Sequence, residues 1–209
     1  MTFVLAILGV FTILLVAEYL ARTTKMHAEL TRKFVHMLVG SFVAFWPFFL
    51  SWRQIEILSL AFFVVILISV KFTIFRSIHT VPRQAVGEIG FAMVIGFLAL
   101  ISSSEWIFAA AMLCLSIGDA MAAIVGLLLG DGNQYKVFGK TKSIAGTAAF
   151  LAVTVMVMAV YVMASHDSAN ITTLLVIPIL ATITENVAVN GTDNLIMPML
   201  IALLLGGTA

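Results

Sequence analysis

The chain reads as an all-α integral membrane protein: a polytopic bundle of about eight transmembrane helices, N-terminus outside, forming one domain over residues 1–209. Three observations predict this class. Of the residues 62% are hydrophobic and only 10% charged, with a mean hydropathy of +1.16, far from the values of a water-soluble domain. The apolar runs are unbroken, where a transmembrane barrel would need alternating polarity. The segments between them are short, which leaves almost nothing for an aqueous domain.

In chain order the apolar runs cover 3–20, 34–50, 55–70, 86–101, 106–129, 144–164, 171–189 and 195–205. Most approach the roughly 20 residues a spanning helix needs, and the last is short. The first has no basic segment before it and carries Glu18 near its end, so a retained span is expected and not a cleaved signal. The second opens on Arg32, Lys33 and His36 and is ended by Pro47. The third follows Arg53, and the fourth opens near Glu88. The fifth carries Asp119 inside the run, beside Gly118, Ala122, Gly126 and Gly130, which recur every four residues on one helix face and permit close packing. A loop with Lys136, Lys140 and Lys142 follows, punctuated by Gly130, Gly132 and Gly139. The sixth span starts at Ser143, Gly146 and Thr147. The seventh ends at Glu185 and Asn186, and a turn through Asn190, Gly191, Asp193 and Asn194 leads into the eighth. All regular structure is expected to be helical, because lipid offers no water to unpaired backbone groups.

Basic residues mark cytoplasmic loops. With the N-terminus outside, Arg22, Lys25, Arg32, Lys33, Lys71, Arg76, Arg83 and the three loop lysines all face the cytoplasm, and only Arg53 lies opposite. This predicts a multi-pass protein of a prokaryotic cell membrane with its polar loops in the cytoplasm. The net charge of +1 carries no message; no nucleic-acid partner is expected, and self-association stays open. Cys114 is the only cysteine, which excludes a disulfide and a cysteine metal cluster.

A carboxylate within an apolar run is costly, so Asp119 demands a partner: a bound cation, or a neighbouring lysine in a purely structural role. It lies about three turns from the cytoplasmic end of its span, within reach of a cavity open to the cytosol. Lys142 precedes Ser143, Gly146 and Thr147 at a helix start, which brings an ammonium group, backbone amides and a positive helix end together as a phosphate cradle. Lys136 reads equally as an interfacial anchor, as do Arg32 and Lys33. His36 lies one helical turn past Arg32 and can donate a hydrogen bond or accept a proton. Glu185, Asp193 and Asn194 offer oxygens of the kind Mg²⁺ takes along with phosphate oxygens and water, with solvated turn residues as the plain alternative. Glu18, Glu29, Glu105, Asp131 and Asp167 read as structural.

Taken together, RKFVH at 32–36, GE at 87–88, GDAMAAIVGLLLG at 118–130, KSIAGT at 142–147, and Glu185 followed by GTDNLIMP at 191–198 resemble the phytol kinase and dolichol kinase family. The resemblance spans most of the chain, with the motifs in order. It implies a membrane-embedded, Mg²⁺-dependent kinase that passes the terminal phosphate of CTP or another nucleoside triphosphate to an isoprenoid alcohol at the cytoplasmic face of the bilayer. Carried over by position, it implies that Asp119, Glu185, Asp193 and Asn194 hold metal. Arg32, Lys33, Gly118, Gly126, Gly130, Lys140, Lys142, Ser143, Gly146 and Thr147 would meet nucleotide or phosphate. Asp119, His36, Glu88 and Lys142 would act in catalysis, with His36 or Glu88 as base. Leu127 stands where relatives often have arginine, and Ala145 where a glutamate often precedes the Gly-Thr pair. Two rivals remain from the sequence: a CTP-dependent cytidylyltransferase acting on a lipid phosphate, and a cation-coupled transporter. The second would require two related halves with broken helices at mid-membrane, which the chain does not show.

Overall fold

Long apolar stretches with no charge to solvate fold as helices, since only a helix satisfies its own backbone in lipid. The computed structural model describes residues 1–23, 28–72, 85–166, 169–189 and 191–207. Lys25, Arg76, Arg83, Asp167 and Asn190 lie outside the described residues. The helices are α1 (Thr2–Thr23), α2 (Ala28–Ala44), α3 (Trp52–Phe72), α4 (Ala85–Ile101), α5 (Glu105–Leu113), α6 (Asp119–Leu129), α7 (Ile144–Ser165), α8 (Ile177–Val187) and α9 (Asp193–Gly206). Four stretches are long and apolar enough to cross a membrane: Thr2–Leu20, Trp52–Ser69, Glu105–Leu129 and Ile144–Ser165. Gly87–Ile101, Thr172–Val187 and Asp193–Gly206 are shorter apolar helices. Outward-facing aliphatic side chains such as Leu60, Leu100, Leu128, Met156 and Met163 cover the bundle's exterior. That is an arrangement suited to lipid and unsuited to water. The architecture is a predominantly helical, multi-pass membrane one.

Helix boundaries follow local chemistry. Ser104 caps α5 by accepting from the Ile107 amide, and Ser143 caps α7 by accepting from the Gly146 amide at 3.0 Å. The helix α2 begins well before the apolar run, because Glu29 and Arg32 join one turn apart through two hydrogen bonds of 2.6 and 3.1 Å. It stops at Ala44, ahead of a short 3₁₀ turn at Trp46–Phe48 that contains Pro47.

Two π-helical turns interrupt the bundle, at Cys114–Gly118 between α5 and α6 and at Thr172–Val176 before α8. Each π turn adds a residue to the local register, a distortion that recurs at functional sites. The first rotates Asp119 relative to α5, toward α2, which packs on both the π turn and α6.

One expectation needs correction: regular structure is not wholly helical. Gln134–Val137 (β1) and Lys140–Ser143 (β2) form an antiparallel hairpin with Tyr135 opposite Lys142 and Val137 opposite Lys140. Its two turn residues, Phe138 and Gly139, have φ of 47° and 78°, the positive pair that a tight hairpin turn requires. The reasoning from lipid fails here because this segment lies between spans. The core is a cluster around Trp46, Phe108 and Phe150, all fully buried, to which α2, α5, α7 and α9 contribute.

Candidate functional site

The polar segments that are far apart in sequence meet at one end of the bundle. The N-terminal turns of α2, α4, α7 and α9, the C-terminal turn of α8, the hairpin and the inner face of α6 enclose a polar cavity of about 500 Å³. Its lining includes Arg32, Lys33, Asp119, Gly126, Lys140, Lys142, Ser143, Gly146, Thr147, Glu185, Asp193 and Asn194. Gly87 and Gly191 line it too, and the Asn194 side-chain amide donates to the Gly87 carbonyl at 2.7 Å, tying the start of α9 to the start of α4.

Asp119 is buried, and the Lys33 ammonium reaches both of its oxygens at 2.5 Å. His36, one turn deeper on α2, places Nε2 3.8 Å from the same carboxylate, and that nitrogen is buried with no hydrogen-bond partner among the described residues. Lys142 makes a matching pair with Glu185, bonding its carboxylate and, at 3.1 Å, its backbone carbonyl. Burial without such partners would cost several kcal/mol per ion, so each acid and its lysine hold one another in place. Four cations and four carboxylates face the cavity: Arg32, Lys33, Lys140 and Lys142 against Glu29, Asp119, Glu185 and Asp193. The cavity is thus balanced in charge yet dense in it.

The hairpin sorts the lysines. Alternation along β2 puts Lys140 and Lys142 on one face, while Lys136 on β1 projects elsewhere and does not line the cavity. Sequence inspection passed over Tyr135. Its hydroxyl lies within hydrogen-bond distance of Thr147 Oγ1 and of Asn186 Oδ1, Thr147 Oγ1 lies 3.2 Å from the same oxygen, so that two hydroxyl protons are shared among three contacts, and Asn186 Nδ2 donates to the Thr182 carbonyl at 2.9 Å. This network clamps hairpin, α7 and α8 together beside Lys142. The only hint in the sequence is an aromatic hydroxyl within a lysine-rich loop.

The glycines divide by role. A Cβ at Gly146 would lie 2.6 Å from the Ala122 carbonyl oxygen, and one at Gly126 would lie 3.0 Å from Ser143 Oγ, so these two let α6 and α7 touch at the cavity wall. Gly118 packs on the Phe150 ring and Gly130 lies against Ser143 at the end of α6, and neither lines the cavity. The Gly146 amide, expected as part of a phosphate cradle, already donates to Ser143.

His36 and Glu88 line a second, mainly apolar groove of about 110 Å³ among α1, α2, α3 and α4. Arg32 and Asn194 line both spaces, so groove and polar cavity meet at these side chains.

No three His, Cys, Asp or Glu residues gather into a metal cage among the described residues. Mg²⁺ needs no such cage where it arrives on phosphate, because one or two carboxylates with phosphate oxygens and water suffice. Asp119, Glu185 and Asp193, all facing one cavity, fit that pattern.

Among proteins of known activity, the chain is 30% identical over 198 residues to a phytol kinase of Synechocystis sp., an alignment covering 90% of this chain and 82% of that relative. No family model matches the chain, and no solved structure does.

Proposed function

Because the chain belongs to the phytol kinase family, we propose that it is a membrane-embedded kinase that transfers the terminal phosphate of CTP to an isoprenoid alcohol such as phytol or geranylgeraniol. The observation that carries this reading is the polar cavity in which Lys33, Asp119, Lys140, Lys142, Glu185 and Asp193 converge from five parts of the chain. Its volume of about 500 Å³ lies within the range of small-molecule and cofactor sites. The proposed topology has eight spans with the N-terminus outside, which turns this cavity to the cytoplasm, where the donor is.

Catalysis of phosphoryl transfer is mostly positioning and charge neutralisation. On donor binding, Lys33 and Lys142 turn from their carboxylates to phosphate oxygens, and Lys140 adds a third cation. Asp119 and Glu185, released from these lysines, would together with Asp193 hold an Mg²⁺ ion accompanying the triphosphate, and such an ion would supply further neutralisation of charge. The alcohol oxygen forms a bond to the terminal phosphorus as the bond to the bridging oxygen breaks and CDP leaves. The hydroxyl proton passes to His36 Nε2, in the groove one helical turn from Arg32, which lines both spaces, with Glu88 the alternative acceptor on the same groove.

Incubation of the purified protein with CTP labelled in turn at the terminal and the α phosphate, plus a panel of alcohols, tests this reading. Terminal label on the lipid is expected. Transfer of α label to a lipid phosphate would make the protein a cytidylyltransferase and overturn the proposal.

A further inference from the structure

We propose that the apolar groove among α1–α4 is the seat of the alcohol's tail and a ruler of its length, closed at the far end by Phe62 and Trp46. This rests on the kinase reading above and deepens it by naming which prenols fit. The groove has a polar mouth and a dry interior. At the mouth stand Arg32, His36, Glu88 and Asn194, and two of these also line the polar cavity. Beyond them the α2 wall offers Val35, Val39 and Val43. An amphiphile with one hydroxyl matches this division, because its head reaches the phosphate donor while its tail never enters water.

The far end is blocked. Phe62 stacks on Trp46 with ring centroids 5.9 Å apart, Phe42 packs edge-on against the same indole at 6.3 Å, and Trp46 is fully buried. From Arg32 to Val43 is eleven residues of helix, a depth of about 16 Å. Open on its α1 side, where Phe11 is exposed, the groove lets a tail of a few isoprene units lie along that depth and refuses a polyprenol, whose remaining units would have to pass the Phe62–Trp46–Phe42 aromatic cluster.

The test measures kcat/KM for geraniol, farnesol, geranylgeraniol and solanesol with the full chain in proteoliposomes. The wild type should prefer geranylgeraniol over solanesol by at least about tenfold, the discrimination expected when a pocket rejects extra hydrocarbon. Phe62→Ala, which opens the closed end, should shrink that preference about tenfold, and Val39→Phe should shift the optimum to shorter alcohols. A flat length profile, or one that neither variant moves, overturns the ruler. In parallel, geranylgeraniol carrying a diazirine at its tail end is photolysed with wild-type protein, with no need for turnover. Label at Val43 and Phe62 supports the proposal. Label confined to lipid-facing residues such as Leu60 and Leu67 overturns it, as does label at the groove that phosphatidylglycerol vesicles abolish, which would make the occupant a membrane lipid. Groove labelling with no phosphorylation of any alcohol would sink the kinase reading while leaving the tail seat standing.

Discussion

Asp119 and Lys33 show what a buried ion pair asks of a membrane helix. Removing one partner leaves the other buried with an unpaired charge, which costs about 3–5 kcal/mol. Asp119→Asn is therefore expected to abolish phosphate transfer and also to lower thermal stability in detergent. The double variant Asp119→Asn with Lys33→Met removes both charges and should recover most of the stability while staying inactive. Activity in either variant would remove Asp119 from the mechanism. Lys142 differs in being more exposed than Lys33, although its partner Glu185 is as buried as Asp119. Lys142→Ala should raise the donor's apparent KM about tenfold or more, the loss of one charge-assisted hydrogen bond, and should also lower stability because it strands the buried Glu185. A donor dependence identical to wild type would strip Lys142 of its phosphate role. Asp119 was legible in the sequence because a carboxylate inside an apolar run has few explanations. That Lys33 is its partner was not, because the two are 86 residues apart and only folding brings them together.

Among the secondary-structure elements, the long apolar helices were legible because hydropathy and length alone decide them. The hairpin and the π turns were hidden for opposite reasons. The hairpin is too short and too polar to show a period, and its clearest sign was Gly139, whose φ of 78° suits a turn. A π turn changes register by one residue within a run that is apolar on every side, so the residue pattern carries no mark of it. The hairpin matters because it fixes where Lys140 and Lys142 point. Gly139→Val places a β-branched residue in the left-handed region at a cost of about 1–2 kcal/mol. The expected outcome is a raised donor KM with little change in the alcohol's KM, measured in steady-state assays. Equal losses for both substrates would instead indicate general unfolding. The α6–α7 contact is less tolerant, because a side chain at position 146 runs into the Ala122 carbonyl, which cannot move out of its helix. Gly146→Val should therefore reduce yield of folded protein as well as activity.

The molecule as a whole works only if its polar end faces the compartment that holds the donor, and this follows from charge asymmetry more than from any contact. The candidate cavity draws on seven elements, and every one contributes its cavity residues at the same end of the bundle. The same end carries Lys136, exposed on the hairpin, whereas Arg53 is exposed at the start of α3, at the other end. Because Cys114 is fully buried, the native chain gives almost no background to a membrane-impermeant thiol reagent. Two single-cysteine probes then decide the topology: Lys136→Cys should react in inverted vesicles and be protected in intact cells, and Arg53→Cys should show the reverse. The opposite pattern would turn the lysines, the cavity and its carboxylates to the outside, away from nucleoside triphosphates. A kinase reading could not survive that result, however well the residues converge, because the cavity would then lie across the membrane from its phosphate donor.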